Sequence, residues 1–335
     1  MLRLFKGTGP GVIILIILTL ALLWVNSFIR QPVNLQSFYE EAPMPLYSIL
    51  KLFFGVHYRA ALIFMILLTG GMALLLVSFN TSVFFINERT FLPALFYILF
   101  SSLFPSSQVL NPVLPASLFL MLALIRIMDS YRKQGLVYNF FDAGILIGTG
   151  ALFYAGMIWF AVLIIAGMVL LRPGSLTEII AALAGLLAPF LVLAGVWYLA
   201  DRQLSDLFIL FKENLFGEAV QLSFDRITVV ICIVFAALTL LSTVFLLSAI
   251  NSKKIRTRKT FYLLFWMLFI SISVYFLLEA VSVELMWIVA IPVSYLLSNY
   301  FVFAKNKYIP ELLFSLVFMM LAGRQVFEFI QLLHH

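Results

Sequence analysis

Charge is what this sequence lacks most: only 11% of its 335 residues are Asp, Glu, Lys or Arg, against about 25% in an ordinary soluble domain. With 64% of the chain hydrophobic, there is too little polar side chain to cover a water-facing surface, so lipid is the expected solvent for much of it. Cysteine is also nearly absent. The single Cys232 excludes an intrachain disulfide and leaves a thiolate metal site without partners. The three histidines, His57, His334 and His335, occur in no metal-binding spacing, and no G-x-x-x-x-G-K-[ST] phosphate loop is present. No cofactor is expected. The chain has no low-complexity linker and no internal repeat, and its longest polar pieces, 30–59 and 201–226, are too short to bury cores of their own. A single integral membrane domain over 1–335 follows.

What is there is a series of apolar runs. The first follows Arg3 and Lys6 and ends in Trp24-Val25-Asn26-Ser27 with no small-residue cleavage site, so it reads as an uncleaved span rather than a secretory signal. Spans are expected at 11–29, 60–79, 91–104, 113–128, 178–200, 227–249, 261–279, 285–303 and 309–323. The stretch 143–171 is long for one span and short for two. As a single helix its 29 residues would measure about 43 Å, beyond a hydrocarbon core of about 30 Å.

Charge decides between the two readings, because basic residues collect in cytoplasmic loops. If 143–171 is a pair of short helices turning near Tyr154 to Gly156, the cluster Lys253, Lys254, Arg256, Arg258 and Lys259 falls on the same side as Arg3, Lys6, Arg89, Arg126, Arg132, Lys133, Arg172, Lys305 and Lys307. That side then carries 14 of the 21 basic residues but only five of the 15 acids. A single span would put the 253–259 cluster on the other side. The expected fold is therefore an all-α, polytopic bundle of about eleven spans with its N-terminus cytoplasmic. The net charge of +6 is explained by this asymmetry and requires no nucleic acid.

Two segments read as interfacial. In 201–216 the apolar Leu204, Leu207, Phe208, Phe211 and Leu215 recur at helical spacing opposite Asp206 and Lys212, so an amphipathic helix in the membrane plane is expected. The segment 44–54, closed by Gly55, is too short to span and is expected to be a re-entrant or surface helix. Gly144 and Gly148 form a G-x-x-x-G pair, expected to serve close helix packing.

The loop 30–59 carries the most chemistry. Glu40 and Glu41 stand just beyond the first span, while His57, Tyr58 and Arg59 stand at the entrance of the second. A carboxylate at a membrane surface can act as a general base toward a sugar hydroxyl, and the planar fork of arginine suits a lipid-linked phosphate. Candidate catalytic residues are thus Glu40 and Glu41, with Tyr58, Arg59 and Arg226 as substrate-binding candidates. Against this, a solvated loop often carries such acids, and arginines at span ends often meet headgroups. A second patch, Glu88 and Arg89 with Arg126, Asp129 and Asp142, is expected to pair helix ends or dock a partner. Glu279, Glu284 and Arg324 come nearest to being intramembrane charges.

From NERTFLPALFYILFSSLFPS through YNFFDAGILIGTGALFYAG to LLRPGSLTE, residues 87–178, the chain resembles an uncharacterised family of multi-pass inner-membrane proteins of Gram-negative bacteria, which implies a location rather than an activity. More weakly it resembles the C-type, polyprenyl-phosphate-dependent glycosyltransferases, whose members have many spans and an acidic residue in the first outer loop, the position of Glu40 or Glu41. Two functions follow: an enzyme handling a polyprenyl-phosphate-linked sugar at the outer membrane face, or a non-enzymatic subunit or scaffold of an envelope or transport complex. Membrane lipid is the expected partner of either, and other membrane proteins of the second.

Overall fold

In the computed structural model, residues 2–7, 9–29, 42–55, 57–83, 85–86, 88–131, 137–171, 175–217, 225–281, 283–306 and 308–334 are described. They form helices joined by short turns, with no strand among them. In chain order these are α1 (Leu2–Phe5), α2 (Pro10–Ile29), α3 (Pro45–Phe54), α4 (Tyr58–Val83), α5 (Leu92–Ser101), α6 (Val113–Asp129), α7 (Val137–Phe153), α8 (Val162–Leu171), α9 (Leu176–Leu199), α10 (Leu204–Phe216), α11 (Arg226–Ala249), α12 (Ile255–Leu277), α13 (Met286–Phe303) and α14 (Tyr308–His334).

Among the described residues, seven helical segments are long and apolar enough to cross a bilayer: α2, α4, α9, α11 with its 3-10 extension to Ser252, α12, α13 with the 3-10 turn Val283–Leu285, and α14. The sequence reading of about eleven spans also included 91–104, 113–128 and the two halves of 143–171. Here the chain forms shorter helices, of 10 residues in α5, 17 in α6, 17 in α7 and 10 in α8. Ten residues make about 15 Å of helix, half a hydrocarbon core. The physical cause is interruption: Pro105 and Pro112 bound an irregular segment between α5 and α6, and Tyr154 is extended at φ −138°, ψ 108° between α7 and the 3-10 stretch Ala155–Ala161.

The 143–171 stretch goes out and comes back. Gly144 faces the Ala182 carbonyl and Gly148 the Leu186 carbonyl and Pro189, so α7 and α9 run parallel and α8 must return between them. The glycines permit this approach, since a Cβ on Gly144 would lie 2.4 Å from the Ala182 oxygen, and one on Gly185 would lie 2.2 Å from the Phe141 oxygen. Antiparallel to α7 lies α6, with Phe119 stacked on Phe153 at 5.6 Å and Arg126 3.6 Å from Asp142. Glu178 starts α9 by accepting the Ser175 N–H at 3.3 Å.

A chain of contacts shows which ends share a side. Lys259 Nζ donates to the Leu171 carbonyl at 2.8 Å and lies over the Tyr131 ring. Thr260 Oγ1 is 3.8 Å from Met128 Sδ, and Phe85 packs edge-on to Phe261 at 5.3 Å. Lys253 Nζ sits 4.6 Å above Phe303, and Phe5 and Phe301 both meet Phe314. The loops that carry Lys6, Arg89, Arg126, the 253–259 cluster and Lys305 thus gather at one end of the bundle, the basic end. Burial there pulls the half-buried Lys253 ammonium below its ordinary pKa.

At the bundle centre stands α13, on which α5, α6, α11 and α12 pack. Trp287, Tyr295, Asn299 and Phe301 are buried, and Tyr295 Oη donates to the Leu76 carbonyl of α4 at 2.7 Å. By contrast α9 buries only Glu178, Ala182 and Gly185 and presents Leu183, Leu187, Leu191 and Val196 outward. In α10, Asp206 and Lys212 are exposed, Phe208 faces out, and Phe211 meets Phe190 of α9 at 5.2 Å. The helix α3 does end at Gly55, though through its N–H bonding the Lys51 carbonyl at φ −65°, not through a left-handed cap.

Candidate functional site

Opposite the basic end, the irregular segment 102–112 runs through the interior of the bundle. Ser102, Leu103, Ser107, Gln108 and Asn111 are each at most 3% exposed, so this backbone, irregular apart from a 3-10 turn at Pro105–Ser107, is enclosed by protein rather than a loop in water. Such backbone is tolerated at membrane depth only where its polar groups find partners inside the protein or line a cavity.

The partners come from helices distant in sequence. Gln108 donates through Nε2 to the Leu23 carbonyl of α2 at 3.2 Å and accepts the Ser27 hydroxyl at 2.7 Å. Tyr47 of α3 donates to the Leu110 carbonyl at 3.0 Å. Asn111 accepts the Leu114 N–H at 3.0 Å, starting α6, while its amide donates to the Ser107 and Val109 carbonyls. Arg324 of α14 donates through Nη1 to the Leu103 carbonyl. Its Nε meets Glu328 at 3.1 Å, with the two side chains only 9% and 11% exposed. Next to this pair, Gln325 Nε2 donates to the Leu23 carbonyl at 2.8 Å, and Asn26 Nδ2 donates to the Gln325 carbonyl at 2.7 Å.

The result is a polar knot joining α2, α3, α14 and the 102–112 segment. From Tyr308 to Arg324 the helix rises about 24 Å, so the knot lies well away from the basic end yet within the length of a spanning helix. Ionisable residues at such positions are expensive and pair with one another or with backbone carbonyls, as Arg324 does with both. Close by, Trp24 and Trp287 meet at 6.2 Å between ring centroids. The Trp24 and Trp287 indole nitrogens, Asn26 Oδ1, Gln325 Oε1 and Glu284 Oε2 are buried with no hydrogen-bond partner among the described residues.

A lateral groove of about 460 Å³ opens beside the knot. Its walls are Thr228, Val229, Cys232 and Ile233 of α11 and Ser271, Tyr275 and Phe276 of α12, and its floor is Val283, Leu285 and Val289. It exists because α11 and α12, consecutive in the chain, each pack on α13 and hardly on one another. Phe104, whose neighbour Leu103 binds Arg324, closes one side, and Arg324 is within electrostatic reach of Cys232.

Of the residues singled out from sequence, Tyr58, Arg59 and Arg226 are among those described. Glu40 and Glu41 lie outside the described residues. Tyr58 joins the knot, donating to the Ser27 carbonyl at 3.0 Å. Arg59 begins α4 and Arg226 begins α11, both exposed, on helices that do not pack together. Among the described residues no three His, Cys, Asp or Glu side chains converge as metal ligands would. Sequence reasoning singled out Arg324 but missed Glu328, whose i,i+4 spacing from Arg324 inside an apolar run was the available signal. For Asn26, Gln108 and Gln325 the sequence held no comparable sign, since Ser27 and Gln108 are 81 residues apart.

Neither a curated protein nor a solved structure matches this chain. One family profile does, over residues 44–333, a segment that contains the groove, Tyr58, Arg59, Arg226 and the knot apart from its α2 residues, and that begins after Glu40 and Glu41. The chain belongs to the family of unknown function DUF6427.

Proposed function

We propose that this chain is a multi-pass protein of the bacterial inner membrane with its basic end in the cytoplasm, and that it serves as a non-catalytic membrane subunit of an envelope complex. The sidedness rests on the gathering of basic residues at one end. What supports the subunit reading is that the described cations that phosphoryl-sugar chemistry would use stand on separate helices or are already paired. Arg59 and Arg226 begin two helices that do not pack together, and the buried Arg324 is already committed to Glu328 and the Leu103 carbonyl. A base and a phosphate clamp act only when held together within hydrogen-bond reach of one substrate.

A second reading, a C-type glycosyltransferase-like enzyme acting on a polyprenyl-phosphate-linked sugar at the outer face, keeps one observation in its favour. Tyr58 is anchored in the knot by Ser27, close to the point where the chain enters the segment that carries Glu40 and Glu41. One experiment separates the two: complementation of a deletion strain by Glu40→Gln, Glu41→Gln, Arg59→Gln and Arg226→Gln, combined in one chain, with protein levels measured. Full function supports the subunit. Loss of function at normal levels, traced to Glu40 or Glu41 in the single variants, supports the enzyme, because losing a general base costs about 10² to 10⁴ in rate.

A further inference from the structure

The groove between α11 and α12 is concave and has a cation near its mouth. Counting along α11, Arg226, Val229 and Ile233 stand at i, i+3 and i+7, one face of the helix, and Val229 and Ile233 are groove wall. Arg226 therefore stands one turn beyond the wall on the groove side. It is exposed and makes no ion pair among the described residues, with Asp225 and Glu279 the nearest acids in sequence on the two helices. From Thr228 to Ala236, both lining residues, α11 rises about 12 Å, close to the depth of one leaflet of a core of about 30 Å.

We propose that this groove seats one acyl chain of an anionic glycerophospholipid whose phosphate is held by Arg226. A cavity of about 460 Å³ falls within the ordinary range of ligand pockets, about 300–1,000 Å³, and its apolar lining suits a hydrocarbon chain. Its length fits a chain confined to one leaflet better than a polyprenyl chain of many isoprene units. Arginine offers phosphate a bidentate fork that a neutral headgroup contact lacks. The site depends on the chain being embedded in a bilayer and on neither functional reading above, both of which survive its failure.

The test is native mass spectrometry of the full chain released from nanodiscs containing equal phosphatidylglycerol and phosphatidylethanolamine, with a polyprenyl phosphate added in a second arm. Wild type is expected to retain one phosphatidylglycerol preferentially. Arg226→Gln should reduce that preference about fivefold, the effect of one interfacial cation, and Ile233→Trp, which fills the groove from a side chain 62% exposed, should abolish retention. Since Cys232 is the sole cysteine and lines the groove, a photoreactive maleimide placed there reports what lies beside it, and a lipid adduct is expected. Equal retention of the two phospholipids, an unchanged preference in Arg226→Gln, displacement by the polyprenyl phosphate, or a peptide adduct at Cys232 would each overturn the assignment.

Discussion

Lys259 Nζ donates a 2.8 Å hydrogen bond to the carbonyl of Leu171, 88 residues earlier in the chain. The bond ties the last turn of α8 to the first turns of α12, and because the same Lys259 lies over the Tyr131 ring, ahead of α7, residues 137–171 leave that end of the bundle and return to it. The bond also offers the C-terminal carbonyls of α8 a cation, the favourable arrangement for a helix end. Sidedness is therefore testable residue by residue. In a Cys232→Ser background, Ser175→Cys and Ile255→Cys should both be shielded from a membrane-impermeant maleimide in intact cells, while Gln203→Cys should react. Labelling of 255 but not 203 would reverse the orientation, and labelling of 175 and 255 from opposite sides would contradict the fold itself.

The pairing of Arg324 with Glu328 predicts asymmetric mutant behaviour. Removing one partner of a buried ion pair leaves the other uncompensated and costs about 3–5 kcal/mol, whereas replacing both with apolar residues is far less damaging. Arg324→Met alone and Glu328→Met alone should lower thermal stability in detergent markedly. The double variant should lose clearly less than the two losses combined, a coupling that a double-mutant cycle measures. Some loss should persist in it, because the Leu103 carbonyl keeps no donor from α14. Strict additivity would show that the pair does not act as a unit.

Close packing of α7 on α9 gives a prediction with its own control. Gly185→Ala places a methyl 2.2 Å from the Phe141 oxygen, whereas Gly195→Ala, on the same helix, meets nothing within 4 Å. Overpacking of this kind costs about 1–3 kcal/mol. An alanine at the open site should be neutral or slightly stabilising, since glycine is the poorer helix former by about 1 kcal/mol. Thermal unfolding of the two variants in nanodiscs checks this, and equal melting temperatures would mean that the helices separate without cost.

Legibility differed sharply between the helices and the knot. Apolar run length exposed the long helices, and the two-helix reading of 143–171 followed from the lysines and arginines of 253–259, a test that needs no contact information. Tyr154 to Gly156 was found as the turn because it divides an otherwise unbroken apolar stretch. Leu207, Phe208 and Phe211 marked α10 by period alone. The segment SSLFPSSQVLNP carried no sign of its burial, because serine, glutamine, asparagine and proline compose a buried loop as readily as a wet one. What distinguishes them is whether Leu23, Ser27 and Arg324 arrive to bond with it, and those contacts join residues 81 to 221 positions apart. Local pattern carries no record of such distances. At α5 the apolar run 91–104 covers a ten-residue helix together with the start of the enclosed segment, a distinction that run length does not make.

The central place of α13 has a consequence for how the protein is made. This helix, residues 286–303, leaves the ribosome late, yet α5, α6, α11 and α12 all rest against it. Helices inserted earlier enter the bilayer before their main interior partner exists, and in lipid they gain little from burying leucine against leucine in its absence. Assembly must therefore wait on the residues from Met286 onward. A ribosome stalled before residue 286 would leave Phe96 without its Phe301 partner and turned toward acyl chains, a state that membrane quality-control proteases can recognise without sensing any single residue.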